Sequence, residues 1–303
     1  MRRVPRLLLA FVLANGVATI EPAARLMASP SEASEGPAQA GQRATLKPAA
    51  AASADIPFGD SDFQSEQQLL EFANQARRKA GVMPLQIDAG LSQAARTHAQ
   101  AMMDARQLSH RFSGELSLPQ RLAATTLLQL DQEGENVAFD YDAAQGHQHL
   151  MLSPPHRANL LNPAYNVVGL GVARDGDRLY IVQDFAHALP VYSPDEVKDR
   201  IAVIVNQTRH QARQSDLPRH DLLTADAAAC SMAHADKLAT DPVRKLSERF
   251  TVLTYTSLHP ETLPAGAARA IASRSLRSFS VGTCYSRTDT YPTGVYWVVL
   301  SLD

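Results

Sequence analysis

The sequence predicts an α+β fold, because helix-period apolar stripes precede alternating apolar runs and that order occurs twice along the chain. In the first pass Leu69, Leu70, Ala73, Ala76 and Ala80 mark a helix over 67–80, which Gly81 ends. Asp88 is placed to cap a second helix carrying Leu91, Ala94, Ala95, Ala99, Met102 and Met103 on one face. The runs Val167–Ala173 and Leu179–Phe185 flank Asp175-Gly176-Asp177 and read as a β-hairpin. The second pass opens with Val197, Ile201, Ile204, Val205 and Thr208, a stripe holding Asn206-Gln207 where the first helix has Asn74-Gln75. An alanine-rich helix over 224–239 follows, then strand-like runs Ser278–Tyr285 and Val295–Leu300, with turn residues at 290–294 between them. This order predicts an internal duplication whose second copy is about 21 residues shorter in its middle.

Length and composition bound the rest. A chain of 303 residues has room for two ordinary domains, and 45% apolar with 20% charged residues is a globular composition. Basic and acidic residues number 29 and 31, a net charge of −2 that offers nucleic acid no electrostatic footprint, so no nucleic-acid partner is expected. Two cysteines exclude a disulfide-dense scaffold and any four-thiolate metal site. No glycine-rich nucleotide loop occurs. Residues 1–20 place three arginines ahead of a short apolar run, Leu7 to Ile20, too short to span a bilayer as a helix. They read as a cleaved signal peptide, which predicts a secreted or periplasmic chain with no transmembrane segment in its mature form. Residues 21–63 are rich in Ala, Ser and Pro and read as a disordered tether.

The polar chemistry is concentrated between 109 and 157. Three segments carry it: Ser109-His110, Gly134-Glu135-Asn136-Val137-Ala138, and Ser153-Pro154-Pro155-His156-Arg157-Ala158-Asn159-Leu160-Leu161. With the run from Asn162 to Val172 and Val182-Gln183-Asp184-Phe185, this ordered set resembles the bacterial branch of the CAP superfamily. That superfamily is named for cysteine-rich secretory proteins, antigen 5 and pathogenesis-related proteins. The resemblance implies a three-layer α–β–α sandwich over 64–190, secreted, with a shallow cleft of two histidines and acidic residues. Residue by residue, His110, Glu135 and His156 match the cleft positions. A further cleft glutamate of the animal members has no assigned position here, and Leu150-Met151 stands where an aromatic residue commonly precedes the Ser-x-x-His-Arg motif. Residues 195–303 read as a degenerate CAP-like repeat, lacking both the Gly-Glu-Asn triplet and the His-Arg pair.

Imidazole and carboxylate are ordinary zinc ligands, so His110 and His156 are candidate ligands for zinc or another divalent metal. Ser153 and Pro154 open a short helix, and His156 in its first turn is held neutral by the positive helix end. Glu135, after Gly134 in an expected loop, would reach a metal or polarise a water. Read from the residues alone, Glu135 and Asn136 equally satisfy loop backbone groups and His156 equally packs or caps. His147 and His149, about 200° apart around a helix, share no ligand face. His98 reads as a core-edge histidine, and Arg157 and Asp184 as structural charges. Cys230 on the alanine-rich helix and Cys284 on the following strand are expected to form a disulfide in an exported protein, with two buried thiols as the alternative. Three functions fit: a secreted module binding a small molecule, lipid or envelope component in the cleft; a metal-dependent hydrolase of peptide or envelope polymer; and a non-catalytic envelope scaffold. No GxSxG elbow supports a serine hydrolase.

Overall fold

A computed structural model describes residues 8–9 and 62–303. The tether and most of the signal sequence therefore lie outside the described residues. In order, the elements of the first half are α1 (Phe63–Lys79), β2 (Gln86–Ile87), α2 (Ala89–Ala105), α3 (Leu118–Thr125), β3 (Gln129–Asp140), α4 (Ala143–Leu152), α5 (Pro154–Leu160), β4 (Val167–Asp175) and β5 (Arg178–Leu189). The second half holds α6 (Pro194–Gln211), α7 (Leu223–His234), α8 (Arg244–Ser247), β6 (Thr251–Ser257), α9 (Ala267–Ile271), β7 (Phe279–Ser286) and β8 (Val295–Leu302). A two-residue strand, β1 (Leu8–Leu9), pairs parallel to β6.

The first half is a three-layer α–β–α sandwich around a sheet of order β2-β4-β5-β3. One face of that sheet, with Leu170, Ile181 and Phe185, packs on Leu69 and Ala73 of α1 and on Leu150 and Leu160 of α4 and α5. The opposite face, with Val137, Tyr180 and Val182, packs on Ala95, Ala99 and Met102 of α2. Strand alternation thus serves both layers, which is why β4 and β5 are almost wholly apolar. Helix α2 comes close because two rungs carry glycine: a Cβ on Gly171 would lie 2.2 Å from the backbone carbon of Ala95. The β4–β5 turn is the expected one, closing at Asp175↔Arg178 with Gly176 at φ +61°.

The Asn-Gln signal has a physical basis. Asn74 brackets the backbone of Leu85, donating to its carbonyl at 3.0 Å and accepting from its N–H at 2.7 Å. Asn206 brackets Leu217 in the same way, at 3.4 and 3.0 Å. Three residues on, the buried Arg77 donates to the carbonyls of Met83, Leu160, Asn162 and Tyr165, and Arg209 to those of Ser215, Ile271 and Ser273. Each arginine ties its helix to the loops beyond it.

The second sheet, β1-β6-β8-β7, lies between α6 with α9 on one face and α7 with α8 on the other. Gly282 of β7 meets α7 as Gly171 meets α2: a Cβ there would lie 2.1 Å from the backbone carbon of Ala225. Cys230 and Cys284 form the disulfide that joins α7 to β7. Helix α7 ends at His234, short of the expected 239. Asp236 turns left-handed (φ +47°), its carboxylate held by the Thr288 hydroxyl and the Thr290 N–H. The halves meet where Arg287 donates to the carbonyls of Thr126 and Ala123, and Thr293 to that of Leu130 at 3.2 Å.

Two expectations need correction. The Gly-Glu-Asn triplet lies inside the twelve-residue strand β3, not in a loop. Its polar residues hide the strand period, and Gly134 is there because the Tyr165 hydroxyl would sit 2.4 Å from a Cβ. Strand β6 was likewise unmarked, since Thr254 and Thr256 occupy buried positions that an alternation of apolar residues would fill.

Candidate functional site

Strand β3 sets Glu135 opposite Asp184 of β5, on the face toward α2. Burial leaves the Glu135 side chain 4% exposed, and both its oxygens are taken. Oε1 accepts from His110 Nδ1 at 2.8 Å, and Oε2 is ion-paired with Arg121 of α3. Arg121 also donates to the His110 carbonyl at 3.0 Å and reaches Glu115 Oε1 at 3.3 Å. One guanidinium thus neutralises two carboxylates and fixes the segment that bears His110.

His98 lies behind them, fully buried on α2, with Nδ1 2.6 Å from Glu115 Oε1 and Nε2 2.7 Å from the Ser109 carbonyl oxygen. Burial pushes the Glu115 carboxyl up, but the Phe112 N–H, His98 and Arg121 outweigh it and hold the group below its usual range. Asp184 is the opposite case. Completely buried, with neither oxygen hydrogen-bonded to a donor among the described residues, it is pushed well above the carboxylate range by desolvation first and by the charge of Glu135 next. In its neutral form it can share a proton with Glu135, which keeps two facing acids compatible.

His110 is the exposed member, its side chain 63% open to solvent. The hydrogen bond to Glu135 raises its pKa above the usual value, against the opposing effects of burial and Arg121. His156 stands in the first turn of α5, where Ser153 occupies the capping position without a side-chain bond. Its pKa is lowered, first by desolvation and then by the charge of His110, which keeps the ring neutral. The two motifs interlock through amides: Asn136 donates to the His156 carbonyl at 3.0 Å, and Asn159 to the Glu135 carbonyl at 3.2 Å and Asn136 Oδ1 at 3.0 Å.

The structure therefore joins His110 to Glu135, ties the His156 backbone to Asn136 of the same strand, and adds Glu115, Arg121, His98 and Asp184 around Glu135. Glu115 is a second carboxylate on Arg121. His98 is the core histidine the sequence predicts, and its ring reaches Glu115; Asp184 is buried opposite Glu135. Nothing in the spacing of Arg121 and Glu115 marked them, because they meet only when α3 folds over β3. His147 packs against the Phe72 ring and His149 pairs with Asp140 at 2.5 Å, on α4 and away from this cluster. Among the described residues no group of three or more His, Cys, Asp or Glu side chains is placed to hold a metal ion. The donors that fit one are His110, whose Nε2 is left over by Glu135, and the neutral His156.

Residues 70–185 match the family model for CAP, the cysteine-rich secretory protein family. This stretch is a CAP domain. Its counterpart in the YkwD protein of Bacillus subtilis is 32% identical over 112 residues, covering 37% of this chain and 43% of that protein. The YlbC membrane protein of Bacillus subtilis is 34% identical over 122 residues, covering 40% and 34%. The chain thus spans less than half the length of either relative. Among solved structures, an extracellular protein with an SCP domain from Bacillus anthracis aligns at 27% identity over 42% of this chain and 41% of that one, with a TM-score of 0.38. Among the described residues no helix is long and apolar enough to cross a membrane.

Proposed function

We propose that this is an exported protein whose CAP domain presents the His110–His156 cleft as a binding site, able to take zinc or another divalent ion. The supporting observation is the state of Glu135. Bonded to His110 and Arg121 and only 4% exposed, it orients an imidazole and is shielded from the solvent water a general base would activate. This favours ligand capture over the hydrolase reading, which requires that carboxylate as a base. His110 Nδ1–H stays on Glu135, leaving Nε2 of a largely exposed ring unused, and His156, close enough to feel the His110 charge, contributes a neutral ring. When bound, a divalent ion would supply an electrophilic point for an oxygen of the ligand.

Calorimetric titration with zinc tests the reading. Wild type should bind at neutral pH, and affinity should rise as pH climbs through the raised pKa of His110, because the Nε2 proton must leave. Ala at His110 or His156 should reduce affinity markedly, and His147→Ala should not. Zinc binding absent from wild type, or lost equally in His147→Ala, overturns it. Export is tested by N-terminal sequencing of extracytoplasmic protein, which should begin downstream of Ala18.

The same reading takes residues 195–303 as a second CAP-like copy. It is supported by the paired Asn and Arg anchors and by a reversed ion pair at matching places. Glu66 of α1 pairs with Arg96 of α2, whereas Lys198 of α6 pairs with Asp226 of α7 at 2.9 Å. In both sheets the acid of that pair accepts the N–H that follows the close-packed glycine, at Val172 and at Thr283. The pair has exchanged ends while the backbone anchor is kept.

A further inference from the structure

The rung that carries the acids in the first sheet has a different chemistry in the second. Two residues before Gly171 stands Gly169, paired to Asp184 and through it to Glu135. Two residues before Gly282 stands Ser280, paired to Ser301 and through it to Val252. Side-chain alternation puts both serines on the α7 face. They are 3% and 1% exposed, and neither hydroxyl has a hydrogen-bond partner among the described residues. A buried hydroxyl without a partner forfeits its bonds to water, so two side by side are unusual in a packed core. Both line a cavity of about 320 Å³ at the end of the sheet, at the small end of ligand-site sizes.

The rest of the wall is equally specific. Arg249 and Asp303 line the same cavity. Arg249 lies over the Phe250 ring at 5.1 Å, and among the described residues the Asp303 carboxylate accepts a 3.5 Å contact from the Ser278 hydroxyl, its backbone carbonyl being taken by the Arg277 N–H. Phe250 and Leu222 give the cavity an apolar side. We propose that this cavity is a second ligand site, for a small zwitterion of amino-acid size with an apolar side chain. Arg249 receives the carboxylate, Asp303 the ammonium, and the Ser280 and Ser301 hydroxyls complete the hydrogen bonds, while Phe250 and Leu222 cover the side chain. The site is separate from the histidine cleft and does not depend on a metal.

Amide NMR titration of the purified protein with free L-leucine and L-phenylalanine is the test, with their N-acetyl and amide forms as blocked probes. Saturable shifts at Ser280 and Ser301 are expected with the free amino acids, and at least about tenfold weaker binding when either end is blocked. Arg249→Ala and Ser301→Ala should each weaken binding about tenfold, and the exposed Arg244→Ala should not. Ser301→Ala without ligand should melt no lower than wild type, since it removes an unpartnered hydroxyl; this separates lost binding from lost fold. No shift with any free amino acid, equal binding of the blocked forms, or binding indifferent to both Arg249→Ala and Ser301→Ala would overturn the proposal.

Discussion

Replacing Arg121 with methionine would remove the guanidinium that binds the carboxylates of both Glu115 and Glu135 while keeping most of the side-chain volume. Arg121 is 7% exposed and Glu135 4%, so solvent screens the pair little. The variant leaves Glu135 charged beside the fully buried Asp184, and it frees the His110 carbonyl and one arm of Glu115. Breaking a buried ion pair from one side costs ~3–5 kcal/mol. In a folded unit of this size each kcal/mol moves the melting temperature by ~2–4 °C, so a fall of about 6–20 °C is expected. Circular dichroism melts locate the shift, and urea titration converts it to free energy. Glu135→Gln and the double variant complete a cycle, whose coupling should reach at least ~1 kcal/mol because the two groups touch. A loss under about 1 kcal/mol, or strictly additive single effects, would refute the view that this pair is what holds the cleft together.

Three further outcomes follow from the same structure. Replacing both Cys230 and Cys284 with alanine opens a link between residues 54 positions apart, and the chain-entropy relation gives a loss of ~4 kcal/mol, to be read by urea unfolding against wild type. Gly282→Ala pushes a Cβ to 2.1 Å from the Ala225 backbone, where no side-chain motion relieves it, and should cost ~1–3 kcal/mol or more in the same assay. By NMR, His110 should titrate above 6.5 and His156 below it. The raised His110 value stabilises the fold below its unfolded pKa, and that contribution fades as pH rises through the folded one. The lowered His156 value acts in reverse, destabilising the fold as pH drops below 6.5. Glu135→Gln should therefore bring the His110 titration down, and an unmoved titration would show that the hydrogen bond at 2.8 Å does not set it.

Both long helices of the first half and the β4–β5 hairpin were legible because their signals are local. Apolar spacing, the Asp88 cap (2.8 Å to the Leu91 N–H) and the Gly176 turn each act within a few residues. The two outward members of the cleft were legible through ordered motifs, and the disulfide through the placement of its cysteines on a helix and the strand it packs against. Strands β3 and β6 were not, since each buries polar residues whose partners come from elsewhere in the chain.

What the sequence determined by itself was thus the order of elements, and it singled out His110, Glu135 and His156 as candidates. Their state was decided only by tertiary structure. Arg121 and Glu135 are 14 positions apart and Asp184 is paired across a sheet, so their ionisation depends on burial and on which charge lies within a few ångström. Those quantities belong to folded distances, not to residue spacing. The same reason hid the serine-lined cavity: Ser280 and Ser301 look like ordinary strand residues until the register puts them side by side under α7 with no partner for either hydroxyl.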